Sequence, residues 1–119
     1  MIDSHCHIAG EEFAGDLDAV AARAHEAGVH TALCILESEE EAELTQADAV
    51  RGAWPSVRFA TGIHPHHAGK FAGRVPEALE TVGRALDRTA ACAVGEIGLD
   101  YHYDFSPRDF QQEIFRAQI

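Results

Sequence analysis

Short apolar runs recur along the chain at intervals of about 25 to 35 residues, each followed by a stretch with helical spacing, and this alternation restricts the fold more than any other feature. The first run is Ile2 to Ile8, followed by a loop bracketed by Gly10 and Gly15. Leu17, Val20, Ala21 and Ala24 then share a helical face in a segment ending at Ala27, with Gly28 as the stop. Thr31 to Leu36 is the second run; Ser38 is the expected N-cap of the next helix, with Glu39, Glu40 and Glu41 where carboxylates favour the helix dipole. That helix is expected to reach about Arg51. Val57 to Thr61 is the third strand, Gly62 to Gly73 a longer loop, and Pro76 to Asp87 a helix with Leu79, Val82 and Leu86 on one face. Ala91 to Glu96 is the fourth strand. Ser106 and Pro107 stand in order as cap and first helical residue of a last helix carrying Phe110, Ile114, Phe115 and Gln118.

Four strands alternating with four helices describe βαβ units with a parallel sheet buried on both faces, an α/β fold. A doubly wound sheet and a barrel both fit the pattern. No glycine-rich phosphate fingerprint follows the first strand, which removes the main support for a dinucleotide-binding fold.

The chain has 119 residues, 46% of them hydrophobic, and no low-complexity stretch, so one globular unit is expected. No apolar stretch approaches the roughly 20 residues of a spanning helix, and the first residues lack a basic segment leading into an apolar run. A cytoplasmic location without membrane partners is the corresponding expectation. Cys6, Cys34 and Cys92 are an odd set within apolar runs, expected as small buried hydrophobes in a reducing compartment. A net charge of -11 argues against a broad basic surface for packaging nucleic acid. It leaves a nuclease open, because bound divalent ions supply positive charge at the site.

In Asp3-Ser4-His5-Cys6-His7, strand alternation puts Asp3, His5 and His7 on one face. Such a row inside a parallel sheet needs pairing, hydrogen bonds or coordination, and two imidazoles two residues apart can reach one divalent cation. Asp3 is expected either to ligate or to orient a ring nitrogen from behind. The third strand ends in Gly62-Ile63-His64-Pro65-His66-His67, where Pro65 stiffens the loop that presents His64. His64 is singled out ahead of His66, and His67 is expected at the surface. The fourth strand delivers Glu96 between two glycines, and Asp100 fits a loop-capping or ion-pairing role as well as a catalytic one. His5, His7, His64 and Glu96 all fall at the C-terminal ends of successive strands, where barrel enzymes place their sites. Glu96 is suited to bridge two metals that clamp the oxygens of a phosphoryl transfer.

Met1 to His7, with its Asp-x-His-x-His pattern, Gly62-Ile63-His64-Pro65 and Gly95-Glu96-Ile97-Gly98-Leu99-Asp100-Tyr101 together resemble three signatures of the TatD deoxyribonuclease family of amidohydrolase-like metal-dependent hydrolases. Ser106-Pro107 with Gln112, Phe115 and Gln118 is similar to the family's following helix. The resemblance implies a TIM-type (β/α) barrel and a centre of two divalent ions, Mg²⁺ first, with Mn²⁺ or Zn²⁺ as alternatives. It implies hydrolysis of phosphodiester bonds in DNA, with His5 and His7 on one metal, Glu96 bridging, and His64 beside substrate phosphate or supporting the metal shell. A complete barrel takes about 250 residues, so residues 1–119 are expected to be the N-terminal part of one barrel domain, its first four β-α units. The family's further histidine ligands and late aspartate would lie beyond them, so metal binding is expected to be weak and turnover slight without the rest of the barrel.

Rival readings remain at this point. A phosphoesterase for small esters and a cyclic amidase share the Asp-x-His-x-His strand. The amidase is disfavoured because many such enzymes use a carboxylated lysine where this chain has Glu96, and its one lysine, Lys70, lies in a loop. A non-catalytic metal-binding half-barrel is the alternative from outside the enzymes.

Overall fold

The computed structural model describes all residues from Met1 to Ile119. Strands β1 (Ile2–Cys6), β2 (Thr31–Glu37), β3 (Arg58–Gly62) and β4 (Ala93–Val94) form one parallel sheet in the order β1-β2-β3-β4. Helices α1 (Leu17–Glu26), α2 (Glu41–Ala53) and α3 (Val75–Thr89) make the crossovers, and α4 (Arg108–Gln118) follows β4. Sequential neighbours joined by helical crossovers are the first units of a TIM-type barrel. No helix is long and apolar enough to cross a membrane.

The two inner strands carry the core because they are covered on both faces. In β2, Cys34, Ile35 and Leu36 are buried in succession, and in β3 the run Phe59 to Gly62 is buried throughout. Phe59, Leu36, Val50, Trp54 and Ala47 belong to a cluster roofed by α1 and α2. A second cluster, Ile63, Phe71, Val82 and Ile114 among its members, joins α3 and α4 to a 3-10 helix at Pro65–Phe71. Gly28, at φ +82, turns the chain out of α1 where a side chain would be strained.

Several local expectations are corrected. Ser38 does not cap α2, whose first residue is Glu41; its buried hydroxyl lies 2.9 Å from Thr61 Oγ1, and its amide donates to Gly62 O, so it ties β2 to β3 instead. Ser106 likewise leaves its own helix uncapped: its hydroxyl donates to His66 O and accepts from Gly69 N, fastening the last loop to the 3-10 helix. The loop expected from Gly62 to Gly73 contains that 3-10 helix. β4 shrinks to two residues, although Cys92 N and Gly95 N donate to Phe59 O and Thr61 O on either side of it. Nothing packs on its outer edge, so Cys92 is exposed rather than buried; Cys6 is half-buried and only Cys34 is fully enclosed.

Candidate metal centre

β1 does not run as a plain strand through its polar residues. Asp3 pairs with Ala32 and Cys6 with Cys34, so β1 spends one residue more than β2 over this stretch. Such a bulge re-aims side chains at the end of a strand. His5 and His7 consequently meet, with their Nε2 atoms 3.1 Å apart. Glu96, two residues beyond β4, reaches across the mouth of the sheet and places Oε2 3.3 Å from His5 Nε2. One ligand atom from each of His5, His7 and Glu96 lies within 4.8 Å of the other two.

The donor chemistry and spacing fit a divalent cation. Two donors that each sit about 2.0–2.1 Å from one ion stand roughly 3–3.4 Å apart in tetrahedral or octahedral geometry. The His5–His7 and His5–Glu96 separations, 3.1 and 3.3 Å, match that range. The set of two imidazoles and one carboxylate suits Zn²⁺ or Mn²⁺ directly, and the carboxylate suits Mg²⁺.

Asp3 stands apart from this group. Its Oδ1 accepts the His5 amide at 3.1 Å, holding the backbone rather than a ring nitrogen. His64 comes to the same mouth from β3, with Nε2 3.8 Å from Glu96 Oε1, beyond hydrogen-bond range. Its Nδ1 accepts the amide of His66, so a neutral His64 carries its proton on Nε2, facing the carboxylate side of the site. Burial, and then the neighbouring His66, hold the His64 pKa below the usual histidine value, which favours this neutral tautomer. Gly62 makes the approach possible: a Cβ there would lie 2.8 Å from Ile97 Cγ2 and 3.2 Å from Gly95 N. Gln118 fastens the next residue, accepting from Ile63 N at 2.8 Å and donating to Ile63 O at 3.2 Å.

His66 is committed elsewhere, its Nε2 2.5 Å from Asp100 Oδ2. That contact, with the amides of His102 and Tyr103, lowers the Asp100 pKa to about 2. Asp100 therefore both caps its loop and pairs with a histidine.

His67 keeps 33% of its side chain exposed but is not free in solvent. Its Nδ1 lies 2.7 Å from Glu39 Oε1 and 3.4 Å from Glu37 Oε2, in a second compact group of possible ligand atoms. Burial, and next the nearby Glu39, push the Glu37 pKa up to about 7. The group is hidden in the sequence because Glu39 reads there as part of a helix terminus. The available signal was Glu37, which ends β2 at the same rim as His64 and Glu96.

The family model described as TatD related DNase matches residues 2–119. A 3'-5' ssDNA/RNA exonuclease TatD of Erwinia tasmaniensis is 34% identical over 120 residues, which cover 100% of this chain and 44% of the relative. The protein of the same name from Klebsiella pneumoniae is 33% identical over 121 residues, covering 100% of this chain and 43% of the relative. An uncharacterized metal-dependent hydrolase, YabD, of Bacillus subtilis is 31% identical over 119 residues, with 100% and 45% covered. The chain thus spans less than half the length of these curated relatives. With the match running over essentially every residue, the chain belongs to the TatD related DNase family.

Proposed function

We propose that residues 1–119 are the N-terminal part of a single barrel domain and supply the first part of the active site of a metal-dependent hydrolase that cleaves phosphodiester bonds in DNA. The observation that carries this reading is the convergence of His5 Nε2, His7 Nε2 and a Glu96 oxygen at separations suited to one divalent ion. His5 and His7 would hold one ion. Glu96, which also faces His64, would help hold a second. Bound divalent ions, Mg²⁺ foremost and Mn²⁺ or Zn²⁺ as alternatives, would activate water and neutralise charge building on the phosphate. His64, with its proton on Nε2, would donate to a phosphate oxygen, and Asp3 would steady the backbone that presents His5. Lys70 is paired with Glu39 and Glu40 at 3.5 Å and is absent from the His5–His7–Glu96 group, which weighs against a carboxylated-lysine amidase.

Relatives named as ssDNA/RNA exonucleases support nucleic acid as the substrate, and their greater length supports a barrel completed by further β-α units. The reading is tested by joining this chain to the part of the Erwinia relative beyond the matched segment. A folded chimera should cleave single-stranded DNA with Mg²⁺ or Mn²⁺, lose that activity to a chelator, and lose it with Glu96→Ala. A cooperatively folded chimera that leaves the strand intact with either ion would overturn the assignment.

A further inference from the structure

The loop between β4 and α4 displays two large aromatic rings that keep much of their surface open to solvent: Tyr103 is 51% exposed and Phe105 65%. They are stacked on each other, with centroids 5.3 Å apart and planes 28° from parallel. Tyr101, nearby in sequence, is engaged differently, since Arg108 lies over its ring at 4.7 Å and Gln112 donates to its hydroxyl. The faces of Tyr103 and Phe105 have no such cationic neighbour.

The loop that carries them is braced. Asp100 Oδ1 accepts the amides of His102 and Tyr103 at 2.8 and 3.2 Å. Gln111 reaches back from α4 to accept Asp100 N and donate to Asp100 O and Ser106 O. Rings on a hydrogen-bonded loop lose little freedom when a planar ligand settles on them.

Continuity with the metal centre gives the platform a direction. Glu96 is followed by His64, whose ring lies 4.3 Å from that of His66; the His66 ring lies 4.7 Å from Phe105, and Phe105 stacks with Tyr103. Beside Phe105 opens a cleft of about 420 Å³ lined by His66, His67, Gly69, Lys70, Phe105 and Ser106. That volume is within the range of small-ligand sites. Lys70 is half exposed and its ion pairs are long, at 3.5 Å, so its ammonium can turn towards an anion in the cleft.

We propose that Tyr103 and Phe105 form a stacking platform for an unpaired nucleobase, with the adjoining strand phosphates passing along the Lys70 cleft towards Glu96. The ligand class is a single-stranded nucleic acid, and the platform is tolerant of base identity because every base presents a flat π face. A duplex, whose bases are stacked on one another, offers no free face to it. The proposal rests on the nucleic-acid reading above and extends it from the scissile phosphate to the base.

The test compares binding of the full chain, in chelator and low salt, to a labelled oligothymidylate and to a strand of equal length built from abasic spacers. Both carry the same phosphate charge, and chelation removes cleavage and metal from the readout. The parent should prefer the base-bearing strand by about tenfold or more, the scale of one base–aromatic stack. Tyr103→Ala combined with Phe105→Ala should bring the two strands within about twofold, and Phe105→Trp should keep the preference. Both rings are largely exposed, so the alanine variants should retain the parent's cooperative unfolding; Phe105→Ala alone, with an intermediate loss, guards against a misfolded double variant. Equal binding of the two strands by the parent, or a preference that survives the double variant, would overturn the platform. Failure of the chimera to cleave DNA while this preference persists would sink the hydrolase reading and leave the platform standing.

Discussion

Replacing Gln111 with Met probes how the rim of the sheet is held. Gln111 is 1% exposed and its amide makes three hydrogen bonds of 2.8, 2.9 and 2.8 Å, to Asp100 N, Asp100 O and Ser106 O. Methionine fills a similar volume and makes none of them. A typical net hydrogen bond contributes about 1 kcal/mol, and a buried partner left unpaired costs about 1–3 kcal/mol. Asp100 is only partly buried, so water can recover part of its loss, whereas Ser106 is 4% exposed and its carbonyl stays unpaired. Together these place the destabilisation of Gln111→Met at about 2–4 kcal/mol. Urea unfolding followed by circular dichroism measures it, and amide hydrogen exchange at Asp100 should accelerate in parallel. A loss under about 0.5 kcal/mol, with Asp100 still protected, would refute the view that this side chain pins the β4–α4 loop.

Glu37 gives a pH-dependent prediction. Its folded pKa rises from 4.5 to about 7, so the folded state holds this proton more tightly than the unfolded state does. The stability it contributes is complete below about pH 4.5 and is lost as pH climbs to about 7. Measured in chelator, the parent should therefore fall by about 2 kcal/mol relative to Glu37→Gln across that window, after allowance for partial exposure; parallel pH profiles would contradict it. Ala90, exposed at the C-terminus of α3, sits at φ 49 and ψ 41, a left-handed conformation that disfavours a side chain. Ala90→Gly should raise stability by about 1 kcal/mol in the same urea assay, and a decrease would count against the strain.

The inner strands were legible because burial on both faces leaves an unbroken apolar signature, as in Cys34-Ile35-Leu36 and Phe59-Ala60. Edge strands leave less: β4 has so little covering that its expected six residues reduce to Ala93 and Val94. The positions of His5, His7, His64 and Glu96 at one rim followed from strand order alone. What did not follow was any choice between local and distant hydrogen-bond partners. Ser38 and Ser106 look like caps in sequence, yet their hydroxyls meet Thr61 and the 3-10 helix, more than twenty residues away. His67 looks like a free surface residue until β2 brings Glu37 and the following turn brings Glu39 against it. The extra residue in β1 was also invisible, since register is set by the partner strand.

Titration calorimetry with Mn²⁺ addresses the metal assignment most directly, comparing the parent with His5→Ala, Glu96→Ala and His67→Ala. If His5, His7 and Glu96 share an ion, the first two variants lose at least about tenfold in affinity, while His67→Ala binds as the parent does. Equal affinity in all four proteins, or a loss confined to His67→Ala, would place the ion elsewhere and remove the basis for a hydrolytic centre at this rim.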